Sequence, residues 1–175
     1  MHTFYLPIHP DTSRPIGGVK QVHRLAEILL DLGYDSYIVQ DSADFHPGWF
    51  SSEVKAVSLD KGKIFKNLDP ASNTIILPET FIPHIPYYYP AIPKIIFNQN
   101  FSYTFGPPSM KGGFDLLTPS DVISLYRHPS IFSVWTVSSH DARAVSDSLH
   151  LRSHVSVSRI FNYIDTNIFN FGYSK

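Results

Sequence analysis

The sequence predicts an α/β domain built on a doubly wound, mostly parallel sheet flanked by helices. Three observations predict it. Short apolar strand candidates recur along the 175 residues and alternate with segments of helical periodicity. The first strand candidate leads into Pro15-Ile16-Gly17-Gly18-Val19 and then an amphipathic helix. A second strand candidate returns within about forty residues of the start, completing a right-handed parallel βαβ unit.

The elements follow in order. Thr3 to Ile8 is a strand candidate whose end is weakened by Pro7, which has no N–H for a ladder. A loop rich in Pro, Asp, Ser and Gly covers His9 to Gly18. A helix is expected from Val19 to Leu32, with Val19, Val22, Ala26, Leu29 and Leu30 as its buried face. Gly33 is placed to end it in the left-handed conformation. Tyr37 to Val39 is the second strand, ending near Asp41, and Val54 to Leu59 is a weaker third. Thr74 to Leu77 is a fourth strand stopped by Pro78, and Lys94 to Phe97 is a fifth that leads into Asn98-Gln99-Asn100. A short helix is expected at Pro119 to Arg127 and a strand at Phe132 to Val137. Ser138 and Asp141 stand at capping-box spacing and open a helix that runs to Leu149. Val155 to Ile160 is the last strand.

Composition excludes several function classes. The formal net charge is -1, which gives no electrostatic case for non-specific nucleic-acid binding. With no cysteine there is no disulfide framework, thiolate metal site or thiol nucleophile. Of the nine histidines only His150 and His154 stand at H-x-x-x-H spacing, none falls in an H-E-x-x-H, and no metal site is expected. No run approaches the roughly 18 apolar residues of a membrane span, and the start lacks a signal peptide's basic region. The expected location is cytoplasmic, with peripheral membrane contact left open.

In parallel sheets ligands bind beyond the carboxyl ends of the strands. That rule selects His9, Gly17, Gly18, Asp41, Glu79, Asn98, Gln99, Asn100, Ser138 and Ser139. Gly17 and Gly18 either let a phosphate or sugar approach a helix N-terminus or serve a tight turn that requires positive φ. The Glu79 carboxylate could accept from hydroxyls, or it is a solvated loop residue. The amides Asn98, Gln99 and Asn100 suit sugar hydroxyls, with turn formation as the competing role. Ser138 and Ser139 read first as helix caps. Ser139, His140 and Asp141 cannot form a catalytic triad, because adjacent residues cannot take the three roles. The tyrosines Tyr87, Tyr88 and Tyr89 offer stacking faces or pack under their own loop.

A second segment extends the pattern. Val134 to Val145 has a strand ending in Val137-Ser138 and then a helix, and Val155 to Phe169 closes with Phe161-Asn162-Tyr163-Ile164-Asp165-Thr166-Asn167-Ile168-Phe169. Together with Gly17-Gly18 and the helix ending Leu29-Leu30-Asp31-Leu32-Gly33-Tyr34, this resembles the N-terminal half of a GT-B glycosyltransferase of the family 4 type. Family members often carry His where this chain has Asn98-Gln99-Asn100, and Phe161 and Tyr163 replace the proline and glycine of the family's closing signature. The resemblance implies a Rossmann-like acceptor-side domain over residues 1–165 and the start of an interdomain linker at 166–175. The donor-binding domain, with its Glu-x7-Glu motif, is expected outside this chain.

The resemblance implies transfer of a sugar from a nucleotide-sugar donor to a sugar, lipid or other hydroxyl acceptor. It implies a retaining reaction with no obligatory metal or other cofactor. Gly17 and Gly18 would take the donor phosphate or sugar, and His9, Glu79, Asn98, Gln99, Asn100, Ser138 and Ser139 the acceptor. No catalytic residue is assigned, and the fragment alone is expected to be inactive. Two other readings stand beside it. Asp41 lies 23 residues past Gly18, near the spacing of a ribose-binding acid in a dinucleotide-binding oxidoreductase, although G-x-G-x-x-G is lacking. A binding module for a glycan or lipid, without catalysis, is the third.

Overall fold

The computed structural model describes residues 1–8, 11–58, 67–87, 91–106 and 117–162. Seven strands form one sheet, and every neighbouring pair is parallel. They are β1 (Thr3–Pro7), β2 (Asp35–Gln40), β3 (Ala56–Ser58), β4 (Asn73–Pro78), β5 (Lys94–Asn98), β6 (Ile131–Thr136) and β7 (Ser156–Arg159). Among the described residues three α-helices are interleaved with them, α1 (Gly17–Asp31), α2 (Pro119–Tyr126) and α3 (Ser139–Ser148). The spatial order is β3-β2-β1-β4-β5-β6-β7, so the expected Rossmann-like, doubly wound α/β architecture is observed. No helix among the described residues is long and apolar enough to cross a membrane.

Both faces of the sheet are covered, which is why its central strands read as continuous apolar runs. On one face, Val22, Ala26 and Leu29 of α1 pack with Leu6, Ile38, Ile76, Ile95 and Phe97. On the other, Val122 and Tyr126 of α2 and Val145 of α3 pack with Val39, Ile75, Leu77, Ile96 and Val134. Successive residues of one strand, such as Ile75 and Ile76, therefore serve opposite cores.

The structure corrects the expected α1 face at one position. Leu30 is 41% exposed, while His23 is buried in the stripe with Val22, Ala26 and Leu29. Leu30 lies about 100° around the helix from Leu29, outside the stripe. The helix also begins two residues earlier than expected, because Gly17 and Gly18 are themselves helical. It ends as expected: Gly33 has φ +86°, its N–H donates to Leu30 O, and the Tyr34 N–H donates to Leu29 O, a Schellman motif. The third strand shortens to three residues, with Val54 buried ahead of it. The capping box that the sequence reading missed opens α2, where Thr118 and Asp121 each bond the other's backbone N–H.

Candidate functional site

The strand order reverses between β1 and β4. From β1 the chain crosses through α1 to β2 on one side, and β4 leads away on the other. In open parallel sheets the carboxyl ends of two strands at such a reversal are where a ligand-binding crevice forms. The N-terminus of α1 stands beside it. Its N-cap, Ile16, offers no side-chain acceptor, and its first turn holds no acidic residue. The Val19 and Lys20 N–H groups donate back to Ile16 O, and helix geometry leaves the amides of Gly17 and Gly18 without an intrahelical acceptor.

The glycines are not explained by backbone strain. Positive φ among the described glycines occurs at Gly33, Gly48 and Gly106, not at Gly17 or Gly18. A Cβ on Gly17 would meet nothing within 4 Å, and one on Gly18 would meet only the side-chain tip of Gln99, at 3.3 Å. The fold's own packing therefore does not require glycine at 17. The bare backbone leaves open space over amides at the positive end of a helix dipole.

Glu79 begins the 3₁₀ turn Glu79–His84 directly after β4 and is 3% exposed. Its two carboxylate oxygens accept the backbone N–H groups of Gln99, at 3.0 Å, and Asn100, at 3.1 Å. Burial, aided by the charge of Asp141, pushes its pKa up to about 7, against the lowering effect of those N–H donors. Glu79 is thus not a solvated loop residue, one of the two roles suggested by its place at a strand end. It holds the backbone of the β5 exit loop, and the Gln99 side chain donates from Nε2 to Gly18 O at 3.4 Å. Asp141 extends the same network: Oδ1 accepts the Phe101 N–H at 3.4 Å, and Oδ2 accepts the Ser138 hydroxyl at 2.7 Å.

Of the residues selected from sequence, Gly18, Glu79, Gln99, Asn100 and Ser138 are linked by this network, and Gly17 adjoins it. Asn100 caps the short 3₁₀ turn Phe101–Tyr103 by accepting the Ser102 N–H. Asn98 turns inward and is fully buried, donating to Thr104 and to the Tyr126 hydroxyl. It offers nothing to a ligand in the crevice. Ser138 caps α3 by accepting the Asp141 N–H at 3.0 Å. Ser139 is exposed and accepts from Arg159, whose guanidinium lies 4.6 Å from the centre of the Phe161 ring. His9, Tyr88, Tyr89 and the segment 163–175, with most of the closing signature and the expected linker, lie outside the described residues.

Three residues of this region carried no functional assignment from sequence. Asp11 accepts the N–H groups of Asp41, at 3.0 Å, and Ser42, at 3.1 Å, tying the β1–α1 loop to the end of β2. Asp141 is a hub rather than only a cap. Arg159 is the last residue of β7, so the strand-end rule could have found it. Among the described residues, no group of three or more His, Asp or Glu is arranged to hold a metal ion. Comparison with protein-family models and with curated protein sequences finds no match.

Proposed function

We propose that this domain is the acceptor-side half of a GT-B type glycosyltransferase, which transfers a sugar from a nucleotide-sugar donor to an acceptor hydroxyl. The observation that carries the reading is the uncapped N-terminus of α1 at the β1/β4 switch point, with open space over Gly17. In sugar transfer the bond from the anomeric carbon to the diphosphate oxygen breaks, and negative charge grows on the leaving group. Preorganised N–H donors at a helix end stabilise such charge without having to reorganise. The motif order described above supports the same reading. Gln99, held by Glu79, sets one wall of the space above Gly18 and supplies an amide for a donor or acceptor hydroxyl.

The dinucleotide reading is favoured by one observation, the exposed Asp41 at the end of β2 in a sheet of this order. One experiment separates the two. Uridine diphosphate and NAD are titrated into 15N-labelled protein. The transferase reading expects uridine diphosphate to shift the Gly17 and Gly18 amides, with NAD weaker. Gly17→Ala should leave stability unchanged or raise it by up to about 1 kcal/mol, since alanine favours a helix. The same change should weaken nucleotide binding at least about fivefold, by about 1 kcal/mol. Unmoved glycine amides, or full binding by folded Gly17→Ala and Gly18→Val proteins, would sink the proposal.

A further inference from the structure

The connection from β2 to β3 holds a feature the switch-point crevice does not use. A cavity of about 540 Å³, widely open to solvent, is lined by His46, Gly48, Trp49, Phe50, Ser51, Ser52 and Glu53. That volume is in the range of small-molecule sites. Its wall is a connected set of rings: Trp49 and Phe50 have centroids 4.6 Å apart, and Phe50 and His46 5.7 Å apart. His23 braces this wall from α1, with its ring 4.9 Å from Phe50 and its Nδ1 3.0 Å from the Ser52 hydroxyl. Burial, reinforced by the nearby His46 and Arg24, lowers the His23 pKa to about 4, so the brace is neutral at pH 7. Trp49 Nε1 and His23 Nε2 are both buried without a hydrogen-bond partner among the described residues. Native proteins seldom leave such atoms unpaired, and a ligand or water is the usual remedy.

We propose that this cavity binds a neutral saccharide. Aromatic faces pack against the C–H face of a sugar ring. The Glu53 carboxylate accepts from sugar hydroxyls, and the serine hydroxyls and His46 both donate and accept. Among the described residues the lining holds no Lys or Arg, and its one carboxylate repels phosphate, which disfavours a nucleotide. Hydroxyls and imidazole outnumber that single acid, which favours a polyhydroxylated ligand over an organic cation. The argument rests on the lining alone and not on the transferase reading; under that reading, the site seats the acceptor.

Trp49 and Trp135 are the two tryptophans of the chain, so Trp135→Phe makes Trp49 the sole tryptophan, read by excitation at the red edge where tyrosine does not absorb. That protein is titrated separately with maltotriose, cellotriose, chitotriose, choline chloride and adenosine monophosphate. A saturable change in Trp49 emission with at least one saccharide is expected, weakened at least about tenfold by Glu53→Gln. No saturable change with any of the three saccharides overturns the proposal. So does a response confined to choline or the nucleotide, or an affinity indifferent to Glu53→Gln. The indole N–H signals of the unmodified protein give the same reading by NMR if Trp135→Phe fails to fold. Uridine diphosphate at the Gly17 and Gly18 amides is a separate arm, so either idea can fail without the other.

Discussion

Glu79 is caught between two opposing environments. Burial and Asp141 favour its protonated form, while the amides of Gln99 and Asn100 favour the ionised form. With a pKa raised from 4.5 to about 7, the amide signals of Gln99 and Asn100 should titrate together near pH 7 in 15N NMR. Flat signals across that range would contradict the assignment. The sign for stability follows. The folded protein binds more protons than the unfolded chain between the two values, so this group's contribution is full below pH 4.5 and is lost as pH rises through 7. Urea midpoints should therefore fall over that window, and less so in Glu79→Gln. The sequence placed Glu79 at a strand end, which is where it lies. Its burial was not legible, because the donors that hold it sit twenty and twenty-one positions later. Asn98 misled for a related reason: in a strand buried on both faces, no polar–apolar alternation shows which way a side chain points.

The helix ends carry much of the local specification. Gly33 has φ +86°, so Gly33→Ala should destabilise by about 1 kcal/mol, measured by urea unfolding. Thr118→Ala should cost a similar amount, about 1 kcal/mol, by removing the acceptor for the Asp121 N–H. A loss well under that would mean Pro119 alone starts α2. Gly33 was legible because a glycine after a periodic stretch has one common use. The cap at Ser138 was legible too, yet the equivalent spacing at Thr118 and Asp121 passed unread. The face of α1 was legible except at its edges, where Leu30 and His23 exchange roles. A histidine in a core stripe has no apolar signature, and its burial depends on Ser52, Phe50 and His46 arriving from the β2–β3 connection.

At the scale of the molecule, the strand order follows from one rule applied repeatedly. The strands β2 and β3 lie to one side of β1, and β4 to β7 to the other, the order expected of crossovers that share one hand. The parallel α/β architecture was legible from a coarse strand reading; the strand order was not. The closed network from Gly18 through Gln99 and Glu79 to Asp141 was not, since it joins residues that only the fold brings together. Under the proposed function, residues 1–175 should bind uridine diphosphate yet release none from UDP-glucose above a buffer blank, because the catalytic cleft needs the donor-binding half. Turnover by this domain alone would contradict that division of labour. The sheet's outer margins have a consequence of their own. β3 has three residues, and β7 reads Ser-Val-Ser-Arg with Ser156, Ser158 and Arg159 exposed. Each margin is a short run of strand among the described residues, and one of them ends in a charge. Such borders resist strand-by-strand addition of a second molecule. Concentrated solutions of this domain are therefore protected against growth through the sheet, whatever association its other surfaces permit.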